Sequence, residues 1–143
     1  LKENYSIING MPPEVNLLNE KNNGENVLKL IQADLILSVH DVSNGGLIVA
    51  LSEMSMPSNY GVKIQKPKKL SNLYEYFFGE DQGRYILEID TNKLAKTEKI
   101  LKDNNIYFEN IGCTQKDYFE IEGELKTNVK DLFKINNEWY NKY

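Results

Sequence analysis

A short apolar segment, a polar turn with two glycines and an amphipathic segment follow one another without a break between residues 35 and 54. Residues 35–39 read as a buried strand, and residues 47–54 read as the first turns of a helix. The turn between them is His40-Asp41-Val42-Ser43-Asn44-Gly45-Gly46. A turn of this kind presents backbone N–H groups and a helix dipole to an anion, and a carboxylate at its mouth suits a Mg²⁺ ion that bridges to phosphate.

Apolar periodicity predicts further helices and strands on both sides of this unit. Helices are expected over 20–32, 45–56, 92–104 and 129–140. The last of them has Trp139 near its apolar face. Strands are expected over 35–39, 60–64, 84–89, 106–111 and 117–121. Residues 70–78 are rich in aromatic side chains and are ambiguous, with a helix that leads into a loop as one reading. Because helices interleave with mostly single strands, we expect an α/β domain with α+β character, in which helices cover a mixed sheet in one layered domain. Residues 1–19 are assigned to a connector and residues 20–143 to the domain.

Composition excludes several classes of function. The net charge of −4 and the lack of a basic patch argue against nucleic-acid binding. No apolar run approaches the ~20 residues of a membrane-spanning helix, so no membrane association is expected. The single cysteine, Cys113, excludes a disulfide framework, favours the reducing cytoplasm and is expected to be half-buried rather than nucleophilic. The chain begins at Leu1 without a methionine, which suggests a piece of a longer polypeptide.

The first glycine turn has a structural and a functional interpretation. Asp41, Ser43 or Asn44 is expected to cap the following helix, since these residue types are common caps. One cap needs only one such side chain, so the surplus of polar groups beside Gly45-Gly46 also indicates ligand contact. His40, the only histidine, is expected to orient the turn rather than to catalyse, because a multi-histidine metal site is impossible.

A second polar cluster occupies residues 78–84. It contains Glu80, Asp81, Gln82 and Arg84, and glycines flank the three central residues. This set could bind a metal ion or phosphate, but a charged turn before a strand is also ordinary. From the residues alone the ordinary turn is favoured.

Taken together, the two clusters resemble the phosphoribosylformylglycinamidine synthase family. The resemblance is carried by residues 38–47 and 50–54 and by 78–85, and it is extended by residues 10–17, Ile111-Gly112 and Trp139. It implies a fold of the AIR-synthase-related C-terminal type. It also implies part of a ligase that uses ATP and glutamine-derived ammonia to convert formylglycinamide ribonucleotide into formylglycinamidine ribonucleotide in purine biosynthesis.

The same resemblance implies roles for individual residues. Asp41 is expected to contact Mg²⁺, and Ser43, with a weaker contribution from Gly45 and Gly46, is expected to contact a nucleotide. Glu80, Asp81 and Gln82 correspond to a substrate-binding cluster in the other half of a duplicated enzyme. At Asn44 the family commonly has Asp, so one negative charge is missing beside the metal turn. No catalytic residue is expected within this chain, which would be inactive alone.

The partners implied are the preceding synthetase domains of the same chain and a glutaminase domain or subunit. Two alternatives remain open. The first is a non-catalytic packing module of the same fold. The second is a domain of another ATP-binding superfamily member, of the selenophosphate synthetase, hydrogenase maturation or thiamine monophosphate kinase type.

Overall fold

The fold is described from a computed structural model that covers residues 14–67 and 72–140, with backbone only for Trp139 and Tyr140. The elements in chain order are α1 (Leu17–Gln32), β1 (Ser38–Asp41), α2 (Gly46–Ser55), β2 (Tyr60–Ile64), α3 (Leu73–Phe78), β3 (Tyr85–Glu88), α4 (Thr91–Asp103), β4 (Gly112–Lys116), β5 (Tyr118–Ile121), β6 (Leu125–Asn128) and α5 (Val129–Tyr140). Within these ranges no helix has the length and hydropathy needed to cross a membrane. The predicted α/β domain with helices over a mixed sheet is confirmed.

The strands form two hydrogen-bonded sheets rather than one. β1 and β3 pair antiparallel, and the other four strands lie in the order β4-β2-β5-β6. The second sheet is mixed, because β2 runs parallel to β5 and antiparallel to β4. The parallel strands β2 and β5 are separated along the chain by α3, β3, α4 and β4, which supply the length that a crossover between parallel strands needs.

Two hydrophobic clusters lie on opposite faces of β3. Successive side chains of a strand point to opposite faces, so the neighbours Ile86 and Leu87 enter different clusters. Cluster 1 joins α2, α3 and α5 to the four-stranded sheet and has Phe119 at its centre, 1% exposed. Cluster 2 joins α1 and α4 around Leu30 and Leu101. β3 is therefore the strand that both clusters share.

Several predicted boundaries differ from the structure. The strand expected over 35–39 is found at Ser38–Asp41, and the first helix begins at Leu17, one turn earlier than expected. The strand predicted over 106–111 is wrong. That segment is irregular, and its apolar side chains Ile106 and Phe108 pack on cluster 2. The strand follows it as β4, a mostly exposed Gly-Cys-Thr-Gln-Lys segment with little apolar pattern.

Two further features depart from expectation. β6 was not expected, because Leu-Lys-Thr-Asn carries no strand pattern; it forms by pairing with β5 across the turn at 122–124. Cys113 is exposed within β4 instead of half-buried at a strand end. The N-terminal Gly10-Met11-Pro12-Pro13 segment and the side chain of Trp139 lie outside the residues that the structure describes.

Candidate functional site

The two polar turns meet at the N-terminus of α2. The backbone N–H of Gly45 donates a hydrogen bond of 2.9 Å to Oε1 of Glu80, thirty-five residues away. Gly45 and Gly46 both have positive φ, 82° and 73°. Gly46 N–H donates to the carbonyl of Ser43 at 3.0 Å, which closes a type II turn with Gly45 at its third position. The two turns are therefore joined by a hydrogen bond from a backbone N–H to a carboxylate.

Close backbone packing fixes this meeting. A Cβ atom at Gly46 would lie 2.6 Å from the carbonyl carbon of Phe78 and 2.8 Å from the carbonyl oxygen of Phe77. Only glycine allows the start of α2 to approach the end of α3 this closely. The double glycine thus has a packing function in addition to any contact with a ligand.

The expectation that a side chain of the first turn caps α2 is wrong. The N-cap residue is Gly45, and no side-chain capping bond is formed by Asp41, Ser43 or Asn44. The Glu80 carboxylate instead accepts the Gly45 N–H, at the positive end of the helix dipole. Because capping does not use the three polar side chains of the first turn, they remain exposed.

These groups line a cleft of about 200 Å³. Its walls include Asp41, Ser43 and Asn44 from the first turn and Glu80, Gln82 and Arg84 from the second. Of the predicted residues, Gly45, Gly46 and Asp81 do not line the cleft. The backbone of the two glycines lies beside it, at the start of α2. The Asp81 carboxylate accepts a hydrogen bond from the Arg84 guanidinium at 2.9 Å and holds that side chain.

Arg84 also connects the cleft to a neighbouring tyrosine. Its guanidinium carbon lies 5.9 Å from the ring centroid of Tyr76, whose hydroxyl donates to Glu109 at 3.2 Å. Burial, and then the charge of Glu109, raise the pKa of Tyr76 to about 12. Tyr76 is therefore neutral in any physiological buffer and acts as a hydrogen-bond donor.

His40 contacts both the first polar turn and α2. Its Nδ1 lies 2.6 Å from the carbonyl oxygen of Asp41, and its Nε2 lies 3.5 Å from the Glu53 carboxylate on α2. The imidazole thus connects the end of β1 to the helix after the turn. The Asp41 side chain, 67% exposed, lies 3.9 Å from Nδ1 and faces solvent.

Helix α1 contributes groups that sequence reasoning missed. Glu20 lines the cleft, and Asn23 donates to the carbonyl of Gly83 at 3.0 Å. The one available signal was Gly24, a glycine inside a helical pattern, which lies against the hydroxyl of Tyr85. Gly24 by itself did not indicate that α1 reaches the second turn.

Cleft chemistry is dominated by carboxylates. Glu20, Asp41 and Glu80 face a single guanidinium, that of Arg84, which suits a cation or a cation-bound anion better than a bare anion. In the described part of the chain, no three His, Cys, Asp or Glu side chains are grouped closely enough to hold a metal ion. The carboxylates of the cleft therefore lie apart from one another and do not form a grouped set of metal ligands.

Comparison with known proteins places the chain in a family. The model of the AIR synthase related protein, C-terminal domain, matches residues 2–122. The phosphoribosylformylglycinamidine synthase subunit PurL of Pelagibacter ubique is 47% identical over 135 residues, and that of Bartonella bacilliformis is 34% identical over 146. These alignments cover 94% and 100% of this chain but only 18% and 19% of the relatives, so the chain spans about a fifth of their length.

Solved structures show the same fold. Phosphoribosylformylglycinamidine synthase II of Thermotoga maritima superposes with a TM-score of 0.72 over 85% of this chain and 22% of its own, at 16% identity. T. maritima PurL complexed with ATP gives 0.68 over 79% of this chain and 21% of its own, and the PurLQS structure gives 0.71 over 92% and 24%, both at 17% identity. The chain belongs to the AIR synthase related protein, C-terminal domain family, and it is homologous to part of PurL.

Proposed function

We propose that this chain is one domain of a phosphoribosylformylglycinamidine synthase, a ligase of purine biosynthesis. The reaction converts formylglycinamide ribonucleotide, with ATP and glutamine-derived ammonia, into formylglycinamidine ribonucleotide. The meeting of the two glycine turns at Gly45 and Glu80 carries the proposal, because it joins the two motifs of the resemblance into one cleft. Identity of 47% to a PurL subunit supports it.

Within that enzyme the domain would form one wall of a site for a magnesium-bound nucleotide. Asp41 is the proposed metal ligand, since its carboxylate is exposed at the mouth of the cleft and no Lys or Arg neutralises it among the described residues. Mg²⁺ usually keeps several waters and takes one or two carboxylates together with phosphate oxygens, so a partial shell is sufficient. Bound there, the ion would neutralise phosphate charge beside an acidic wall.

Ser43 is the proposed nucleotide contact, through a hydroxyl that is not used for capping. Gly45 and Gly46 would contribute by keeping the backbone close to the ligand. The Gly45 N–H donates to Glu80, so its use by phosphate requires that the Glu80 carboxylate move away. Asn44 keeps the geometry of the turn but supplies no charge.

Glu80, Asp81 and Gln82 are proposed to belong to a substrate-binding site, or to the site that corresponds to it in the other half of the duplicated enzyme. Gln82 and Glu80 line the cleft, whereas Asp81 acts through Arg84. The reacting centre would lie on other domains, so this chain supplies binding and rigidity rather than a catalytic group. Its partners would be those domains and a glutaminase, acting in the cytoplasm.

One observation favours a packing module as a second candidate. All three charged side chains of the second turn have partners inside the domain. Glu80 accepts the N–H of Gly45, and Asp81 accepts a hydrogen bond from Arg84. The Arg84 guanidinium also lies over the ring of Tyr76. A cluster satisfied in this way needs no ligand. Ser43 and Asp41 distinguish the two candidates, because the packing contacts described above do not use their side chains.

The experiment uses a chimaera in which this chain replaces the 135 matched residues of the Pelagibacter ubique PurL subunit. Calorimetric titration with MgATP and MgADP compares the chimaera with its Ser43→Ala and Asp41→Asn variants. Asp103→Asn, which removes an exposed carboxylate at the end of α4, is the matched control. Weaker nucleotide binding in the first two variants alone supports the wall of a nucleotide site. Equal affinity and stoichiometry in all four proteins would favour the packing module.

A further inference from the structure

The cleft contains the one arginine of this chain. Seventeen residues are Lys or Arg, and Arg84 is the only arginine among them. Of the described residues it is also the only Lys or Arg that lines the cleft, where it lies among the carboxylates of Glu20, Asp41 and Glu80. A planar guanidinium can bind phosphate through two parallel hydrogen bonds and can stack on an aromatic ring, whereas an ammonium group acts as a point charge. The position of this side chain therefore affects where the cleft can hold a phosphate group.

Two contacts hold the Arg84 guanidinium within the domain. Its Nη1 donates to the Asp81 carboxylate at 2.9 Å, and its central carbon lies 5.9 Å from the centroid of the Tyr76 ring. Arginine has five N–H donors, and the contact with Asp81 uses one of them. The Arg84 side chain is 29% exposed, so a ligand in the cleft can reach the remaining donors.

The Tyr76 ring is itself held from two directions. It meets the ring of Phe77 edge-on, with 5.1 Å between the centroids, and Phe77 is 2% exposed in cluster 1. At its other end, the Tyr76 hydroxyl donates to the Glu109 carboxylate at 3.2 Å. A partly buried tyrosine packs its ring on the core and directs its hydroxyl to a polar partner. Because Glu109 is that partner, it fixes how the ring lies against Arg84.

Glu109 belongs to a segment that both clusters hold in place. Residues 106–111 have no regular secondary structure, yet Phe108 packs on cluster 2 and Ile111 packs on cluster 1. The second oxygen of the Glu109 carboxylate accepts a hydrogen bond from the hydroxyl of Tyr107. Glu109 is exposed, but its carboxylate is restrained by its own segment and by these two hydroxyls.

From these contacts we infer that Glu109 and Tyr76 are positioning residues for Arg84, and that Arg84 contacts a phosphate group of the ligand in the cleft. The phosphate contact rests on the proposed function, whereas the positioning of Arg84 does not. Glu109 does not line the cleft, so it acts through the Tyr76 hydroxyl and ring. Asp81 and the Tyr76 ring restrain the guanidinium before a ligand arrives, and the side chain therefore loses less conformational freedom when phosphate binds.

A different account is that Glu109 acts on Arg84 by charge alone. A carboxylate near the Tyr76 ring attracts the guanidinium whether or not the hydroxyl bond is formed. The Glu109→Gln variant separates the two accounts, because it keeps an oxygen that accepts from Tyr76 and removes the charge.

The single arginine makes Arg84 directly observable by NMR. The spectrum of the 143-residue chain contains one arginine Nε–Hε signal, which needs no assignment. We expect this signal to lie upfield of its position in an unstructured peptide, because the guanidinium lies over the Tyr76 ring. Glu109→Ala and Tyr76→Phe should each move the signal toward that position, and Glu109→Gln should leave it in place. Glu122→Ala, which removes an exposed carboxylate in the turn between β5 and β6, is the matched control.

The double variant Tyr76→Phe with Glu109→Ala tests whether the two residues act in one chain of contacts. Its signal should move no further than that of either single variant, because both changes break the same hydrogen bond. A shift equal to the sum of the two single shifts would overturn the positioning role, since independent effects add. A signal that stays in place in both single variants would overturn it too. Equal shifts in Glu109→Ala and Glu109→Gln would assign the effect to charge and contradict the role of the hydroxyl.

Calorimetric titration of the PurL chimaera with MgATP tests the phosphate contact. A cation–π contact at a partly exposed site corresponds to a factor of about two to five in affinity, so we expect Glu109→Ala to weaken binding by about that factor. Glu109→Gln should bind as the wild type does. Arg84→Lys keeps the charge but loses the planar group, and it should weaken binding by at least about tenfold.

The two proposals fail in different ways. Unchanged affinity in Arg84→Lys, together with weaker binding in Ser43→Ala, would refute the phosphate contact and leave the proposed function intact. A chimaera that binds no nucleotide would contradict the proposed function and the phosphate contact together. The NMR shifts would still decide the positioning of Arg84, because they are measured without a ligand.

Discussion

Replacing Gly46 by alanine tests whether close backbone contact holds the two turns together. The φ of 73° is a left-handed conformation that costs an L-residue about 1–2 kcal/mol. The new methyl group would lie 2.6–2.8 Å from backbone atoms of Phe77 and Phe78, which cannot rotate away. Overpacking of this kind costs about 1–3 kcal/mol, so we expect a total loss of about 2–5 kcal/mol in the free energy of unfolding.

Thermal and urea unfolding measure this loss. For a domain near this size about 2–4 °C of melting temperature is lost per kcal/mol, so a loss of about 3 kcal/mol lowers the melting temperature by about 6–12 °C. Exchange of the Gly45 amide should also become faster, because movement of residues 77–80 takes Glu80 away from it.

Gly24→Ala is the matched control. Gly24 lies inside α1, and the nearest atom to its added methyl group is the hydroxyl of Tyr85 at 3.3 Å, the end of a side chain that can move. Alanine there gains up to about 1 kcal/mol of helix propensity. If Gly46→Ala melted at the wild-type temperature, or if both variants lost equal stability, the close-contact argument would be refuted.

Three further predictions concern packing and charge. Because the pKa of Tyr76 is raised to about 12, the contribution of its neutral hydroxyl to stability is complete below pH 10 and is lost as the pH rises from 10 to about 12. In the Tyr76→Phe variant, the urea concentration at the midpoint of unfolding should therefore fall less over this pH range than it does in the wild type. The hydrogen bond from Lys126 to Glu120, at 3.2 Å, lowers the pKa of that carboxyl, so its contribution is present at neutral pH and lost as the pH falls through the folded-state pKa. Lys126→Met should flatten the acid limb of the stability profile, and an unchanged limb would contradict the pairing. Phe119→Ala should cost about 3–5 kcal/mol by urea titration, since its ring is 1% exposed at the centre of cluster 1.

Helices were the part of the fold that the sequence predicted best. The last helix was predicted with the bounds that the structure has, and α2 and α4 were predicted to within one residue, because their apolar stripes repeat at helical spacing. β4 and β6 were misplaced or missed, since both are mostly polar and exist because a neighbouring strand pairs with them. Pairing is a tertiary effect that local pattern does not encode.

The candidate site was predictable only in part. Local sequence identified two polar glycine turns but could not show that they meet, because the Gly45–Glu80 contact spans thirty-five residues. Capping was predicted from the nearest polar side chains, whereas the group that reaches the helix end is a distant carboxylate. The role of α1 at the second turn was invisible for the same reason.

The position of β3 between two clusters has a consequence for how the chain unfolds. Ile86 and Leu87 are neighbours in sequence, yet they stabilise different clusters. Residues 106–111 also contact both clusters, because Ile106 and Phe108 pack on cluster 2 and Ile111 packs on cluster 1. The cooperativity of unfolding therefore depends on two short segments, β3 and residues 106–111, which contact both clusters. Denaturant curves recorded with one probe in each cluster measure this coupling, because different midpoints mean that the two clusters unfold separately.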